Sequence, residues 1–148
     1  CVGCKSCELA CSFKHRGMFA PSRSRIVNEV FLDEAKFITV TCMQCDEPWC
    51  LKACPKGAIG KDAVSGVVSV DEVKCVGCRT CVSACPFGMI TYQESSRKAD
   101  KCNLCAGDFP ECVTFCPTRC LTFSEEDKPL REKVLRFVNT MKDGQGEV

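Results

Sequence analysis

At 148 residues with a formal net charge of +1, the chain has the length of one ordinary domain or two very small ones, and no basic field for nucleic acid or anionic lipid. No apolar run approaches the length of a membrane span. Seventeen cysteines leave two broad classes, a disulfide scaffold or a metal protein.

In chain order, Cys1, Cys4, Cys7 and Cys11 come first, spelling C-x2-C-x2-C-x3-C with Ser12 behind them. A basic stretch follows, holding Lys14, Arg16, Arg23 and Arg25, and it reads either as a solvated loop or as a surface that steers an acidic partner. The single histidine, His15, gives a Ser-His-Asp or Cys-His site little to build on and reads as a surface or interface residue. Ile38-Thr39-Val40 is β-prone and runs into Cys42, Cys45, Cys50 and Cys54 with Pro55 behind. Trp49, beside Cys50, is expected to shield a metal group from water. Val67 to Val70 is a second β-prone piece, entered through a Ser65-Gly66 turn. Cys75, Cys78, Cys81, Cys85 and Pro86 then repeat the first spacing, and Ile90-Thr91-Tyr92 follows as a third β-prone piece. Cys102, Cys105, Cys112, Cys116 and Pro117 form the last group, with Leu121-Thr122-Phe123 a fourth β-prone piece. The segment after each group is too short for more than a turn or two of helix. Beyond it, Asp127 and Pro129 mark a helix start, and Leu130, Val134, Phe137, Val138 and Met141 recur at helical spacing up to Gly144. Such a helix either covers its own domain or docks onto a partner subunit.

Four variants of one unit decide between the two classes. Disulfide pairing inside each C-x2-C would close only tiny loops and staple nothing distant, and the cysteine count is odd. Zinc sites with four cysteines consist of two separated pairs, whereas three cysteines at x2-x2 spacing suit the corners of an iron–sulfur cubane. The third group is the bacterial ferredoxin run unaltered, in which the cysteine before proline ligates the neighbouring cluster. The second and fourth groups stretch the middle gap and place Pro48 and Pro110 two residues before their third cysteine. The first group lacks its proline and is where zinc or an empty site is the most plausible exception. Cys120 is left over; it stands where Ala58 follows Cys54 and Met89 follows Cys85, so it is expected to pack as a small apolar side chain, with a swapped iron ligand as the alternative. A fold of such short pieces buries little apolar surface, which implies that the metal groups replace a core and that the iron-free chain is unfolded.

With these motifs the chain resembles the four-cluster iron–sulfur subunits that accompany molybdenum and tungsten pterin oxidoreductases. Cys7-Glu8-Leu9-Ala10-Cys11-Ser12, with His15, Phe19, Pro21 and Ser24-Arg25-Ile26, is similar to a narrower branch that includes subunits of tungsten aldehyde oxidoreductases, benzoyl-CoA reductases and carbon monoxide dehydrogenase systems. The resemblance implies an α+β fold of two bacterial-ferredoxin-like modules with short hairpins and short helices, one inserted in the other, plus a C-terminal helix. Residues 1–30 and 95–123 would form the outer module, 31–94 the inner one and 124–148 a helical tail. It implies four [4Fe–4S] clusters, held by Cys42, Cys45 and Cys50 with Cys85; by Cys75, Cys78 and Cys81 with Cys54; by Cys1, Cys4 and Cys7 with Cys116; and by Cys102, Cys105 and Cys112 with Cys11. The implied role is non-catalytic: a cytoplasmic hetero-oligomer subunit passing single electrons between a pterin-bearing catalytic subunit and a flavin subunit or soluble ferredoxin. A free polyferredoxin serving a carbon monoxide dehydrogenase or hydrogenase is the alternative. A radical enzyme would need an open iron, usually marked by C-x3-C-x2-C, and no such string occurs.

Overall fold

The computed structural model describes residues 1–124, so the helix expected around Leu130 to Met141 lies outside the described residues. Helix α1 (Ser6–Arg16) is followed by a hairpin of β1 (Ile26–Phe31) and β2 (Lys36–Thr41), registered Ile26 to Thr41 through Phe31 to Lys36. A four-residue helix α2 (Trp49–Lys52) leads to a second hairpin, β3 (Ile59–Lys61) with β4 (Val68–Val70). Helix α3 (Thr80–Ala84) leads to a third, β5 (Ile90–Gln93) with β6 (Lys98–Lys101), and α4 (Glu111–Thr114) is the last described helix. Short helices between separate antiparallel hairpins give the α+β character that the sequence implies. No described helix is long and apolar enough to cross a membrane.

Three of the four β-prone pieces lie in strands, and Ser65-Gly66 does form the turn: Asp62 Oδ1 accepts from the N–H groups of Val64 and Ser65, and Gly66 takes φ +68°. Leu121-Thr122-Phe123 is not a strand. Each legible strand pairs with one that carries weaker β signal, as when Ile90-Thr91-Tyr92 pairs with the polar Lys98-Ala99-Asp100-Lys101. The first and third hairpins span positions 30/31 and 94/95, where the module seams were expected.

Helix α1 runs five residues past Cys11, within the turn or two expected there, and this accounts for Ser12. Residue 12 lies in the middle of three turns, where proline would remove a helix hydrogen bond and clash with the preceding turn. Ser12 is fully buried, its Oγ donating to Leu9 O and accepting from Ala20 N–H. The other three groups leave their helices at the fourth cysteine, so proline fits there.

Two cores hold these pieces. The larger joins Ala58, Ile59, Val68, Ile90 and Ala99 to Cys50, Cys75 and Cys81; the smaller, among the described residues, has Cys7, Cys11 and Ile26, with Cys112 and Leu121 against it. Ion pairs supplement the smaller one. Asp100 on β6, 4% exposed, receives both Arg16 from α1 and Arg25, the latter at 2.7 Å, while Lys14 reaches Asp108 at 2.8 Å. Arg16 and Arg25 are not a solvated loop: with Lys14, which stays exposed, they tie the beginning of the chain to residues 100–108.

Candidate metal centres

Local backbone geometry aims each cysteine loop at one centre. The residue before the second cysteine has positive φ in all four groups: Gly3 (+65°), Gln44 (+45°), Gly77 (+70°) and Leu104 (+50°). Left-handed residues in such loops turn successive N–H groups inward and make an anion-binding concavity. Gly77 is also required by space, because a Cβ there would lie 2.2 Å from the Arg97 carbonyl oxygen. The helix carrying the third cysteine starts in one of two ways. In the tight groups the residue after the second cysteine, Lys5 or Arg79, takes φ +60° or +64°; in the stretched groups the buried, extended Pro48 and Pro110 do the same work.

Cysteines distant in sequence meet around two cavities. Cys75, Cys78 and Cys81 line one together with Cys54 from the preceding group. Cys42, Cys45 and Cys50 line the other together with Cys85 from the following group. All seventeen cysteines are free thiols. Among the described residues no three Cys, His, Asp or Glu side chains gather closely enough to grip one ion directly; these thiols stand around a space.

Cysteines of the first and fourth groups also lie together, with Cys112 packed against Cys7 and Cys11. Cys112 is pushed up to about 12 by burial and then by the charges of Cys11, Cys102, Cys105 and Cys7 around it. Ser6, through its hydroxyl and backbone N–H, holds the Cys4 thiol below the usual thiol range, against the opposing charge of Cys116. Burial raises Cys102, to which Cys42 and Cys11 add, so a thiol of the outer set stands near one of the inner set. Cys11 lies beside Cys112, and the Arg25 N–H donates to its Sγ at 3.3 Å.

A family model described as "4Fe-4S dicluster domain" matches residues 33–126, more than half of the chain, and a second of that description matches residues 1–58. The chain belongs to the 4Fe-4S dicluster family. The polyferredoxin-like subunit of an aliphatic sulfonate oxidoreductase from Pyrococcus furiosus is 39% identical over 72% of this chain and 61% of its own length. The B subunit of the anaerobic dimethyl sulfoxide reductase of Escherichia coli is 38% identical over 71% of this chain and 57% of its own. The thiosulfate reductase electron transfer subunit PhsB of Salmonella typhi is 35% identical over 72% and 58%. The chain therefore spans about three-fifths of the length of these relatives.

The two dicluster matches take in all four cysteine groups, so this dicluster protein has four [4Fe–4S] clusters. Its residues fit them: burial, then crowding with other thiols, keeps Cys112 protonated in the absence of metal, and a cationic iron–sulfur core would expel that proton and neutralise the thiolate. Around the thiols, three expectations change. Cys120 is exposed, unlike buried Ala58 and Met89, and its Sγ lies 3.4 Å from Cys116 Sγ; the chain turns back after Pro117 without packing residue 120 inward. Trp49 lines the cavity of Cys42, Cys45, Cys50 and Cys85, but at 65% exposure it forms the rim and does not seal it. His15 is half-buried: the Arg25 guanidinium donates to Nδ1 at 3.1 Å, which leaves the neutral ring's proton on Nε2, 3.9 Å from Cys105 Sγ. Burial, then the Arg25 charge, lowers its pKa to about 4. Gln44 and Lys101 were missed altogether. Gln44 donates to Cys102 O at 3.0 Å and accepts from Val68 N–H at 2.8 Å, so it bridges the second and fourth groups. Its position inside a C-x-x-C offered no sign of that reach.

Proposed function

We propose that the chain is the electron-transfer subunit of an oxidoreductase, relaying single electrons through its four clusters between a catalytic subunit bearing a molybdenum or tungsten pterin and a second redox partner. A [4Fe–4S] cluster supplies reversible one-electron chemistry at a potential its surroundings set, within about −700 to +450 mV. The ligand sets are Cys1, Cys4, Cys7 and Cys116; Cys102, Cys105, Cys112 and Cys11; Cys42, Cys45, Cys50 and Cys85; and Cys75, Cys78, Cys81 and Cys54. The observation that carries this reading is the pair of cavities, each lined by three cysteines of one run and the fourth of another. The inner and outer sets adjoin where Thr41, Cys42 and Gln44 meet Cys102, which favours a single line of clusters over two isolated pairs.

The module plan goes with it: residues 31–94 are an inner ferredoxin-like module inserted into an outer one, with seams that run through the first and third hairpins. The names of the relatives favour a partner-bound subunit, and the narrower tungsten aldehyde branch is supported only by the Cys7 to Ile26 motif. Exposed Met43, Trp49 and Phe87 beside Cys42, Cys45, Cys50 and Cys85 offer an apolar rim for a partner to cover. Purification under anaerobic conditions from cells that make the chain tests the role. Co-elution with a larger pterin-containing polypeptide, and a brown colour that dithionite bleaches, are expected. A chain that elutes alone would instead be a free polyferredoxin.

A further inference from the structure

Strand β6 alternates its side chains, and its last two residues put opposite charges on opposite sides. Asp100 turns toward Arg16 and Arg25. Lys101, 3% exposed, turns toward the cavity of Cys42, Cys45, Cys50 and Cys85 and lines it. Its Nζ donates to Val68 O and, at 2.8 Å, to Cys102 O, and among the described residues no carboxylate lies within ion-pair distance of it. An ammonium buried without a counter-ion is expensive, and two carbonyl oxygens replace only part of its hydration. A cubane held by four thiolates carries net negative charge, however, and gains one more on reduction.

We propose that Lys101 is the fixed counter-charge of the cluster held by Cys42, Cys45, Cys50 and Cys85, and that it raises that cluster's reduction potential. The inference rests on the ligand sets proposed above. The attraction is stronger for the reduced state, so the positive charge makes reduction easier. A purely structural lysine would serve only to pin Val68 and Cys102 through their carbonyls.

Redox titration of the full chain followed by electron paramagnetic resonance separates the two roles. Lys101→Gln keeps N–H donors without the charge, and Lys101→Arg keeps the charge. In Lys101→Gln one cluster signal of four is expected to move to more negative potential with the iron content intact, while Lys101→Arg stays near the parent. The signal that moves is the one perturbed by both Cys50→Ser and Cys85→Ser. Full iron with no potential moved, or an equal shift of all four, overturns the inference. If Lys101→Gln loses that cluster, retention in Lys101→Arg upholds the charge and loss in both variants overturns it. Should Cys50→Ser and Cys85→Ser perturb different signals, the ligand sets fall first and take the inference with them.

Discussion

The two halves of the molecule hold their cysteines by different means. Around the second and third groups, Ile59, Val68 and Ile90 close an apolar core against Cys50, Cys75 and Cys81. Around the first and fourth, Ile26 is the only buried aliphatic side chain in the core among the described residues, and charge joins the strands to the helix through Arg16, Arg25 and Asp100. Burying three aliphatic side chains contributes about 1.5–3 kcal/mol each, so among the described residues the inner half has an ordinary source of stability that the outer half lacks. The outer half should therefore depend more heavily on its metal and on its ion pairs.

Iron removal gives the largest effect and the first way to break that comparison. Stepwise chelation should bleach the outer pair of clusters before the inner pair, and complete extraction should abolish the far-ultraviolet circular dichroism of the folded state. Simultaneous loss of all four would erase the distinction. Asp100→Ala comes next, because it strands two guanidinium groups at a nearly buried site; removing one partner of a buried pair costs about 3–5 kcal/mol. About half of the iron should be lost, from the outer clusters, as counted by iron analysis and cluster signals. Val68→Ala, at a side chain 1% exposed, should cost about 2 kcal/mol from two lost methyl groups and the cavity left behind. Urea-driven bleaching should reveal this loss in the inner clusters alone. The smallest effect is Cys120→Ala, which should leave the iron content unchanged; a missing cluster would mean that Cys120, 3.4 Å from Cys116, is the true ligand.

Ligand spacing was legible because it is local. Three cysteines around one cubane must recur at fixed short steps, and a run such as Cys75, Cys78 and Cys81 displays that constraint in the bare sequence. The hairpin turn at Ser65-Gly66 was legible for the same reason. What stayed hidden depends on what distant segments supply. Lys98-Ala99-Asp100-Lys101 has no β-branched residue and becomes a strand because Ile90 to Gln93 lies beside it. Asp100 and Lys101 are buried because Arg25 and a ring of thiols meet them, and neither fact leaves a mark at positions 100 and 101. Ser12 misled because a missing proline reads as a weak motif, when the cause is a helix that runs five residues past Cys11. Cys120 misled in the opposite direction, since an equivalent position in a repeat need not inherit its burial.

Counting iron and acid-labile sulfide in the anaerobically purified chain tests the central claim most directly. About sixteen of each per chain are expected from four cubanes. Zinc without sulfide would contradict the account.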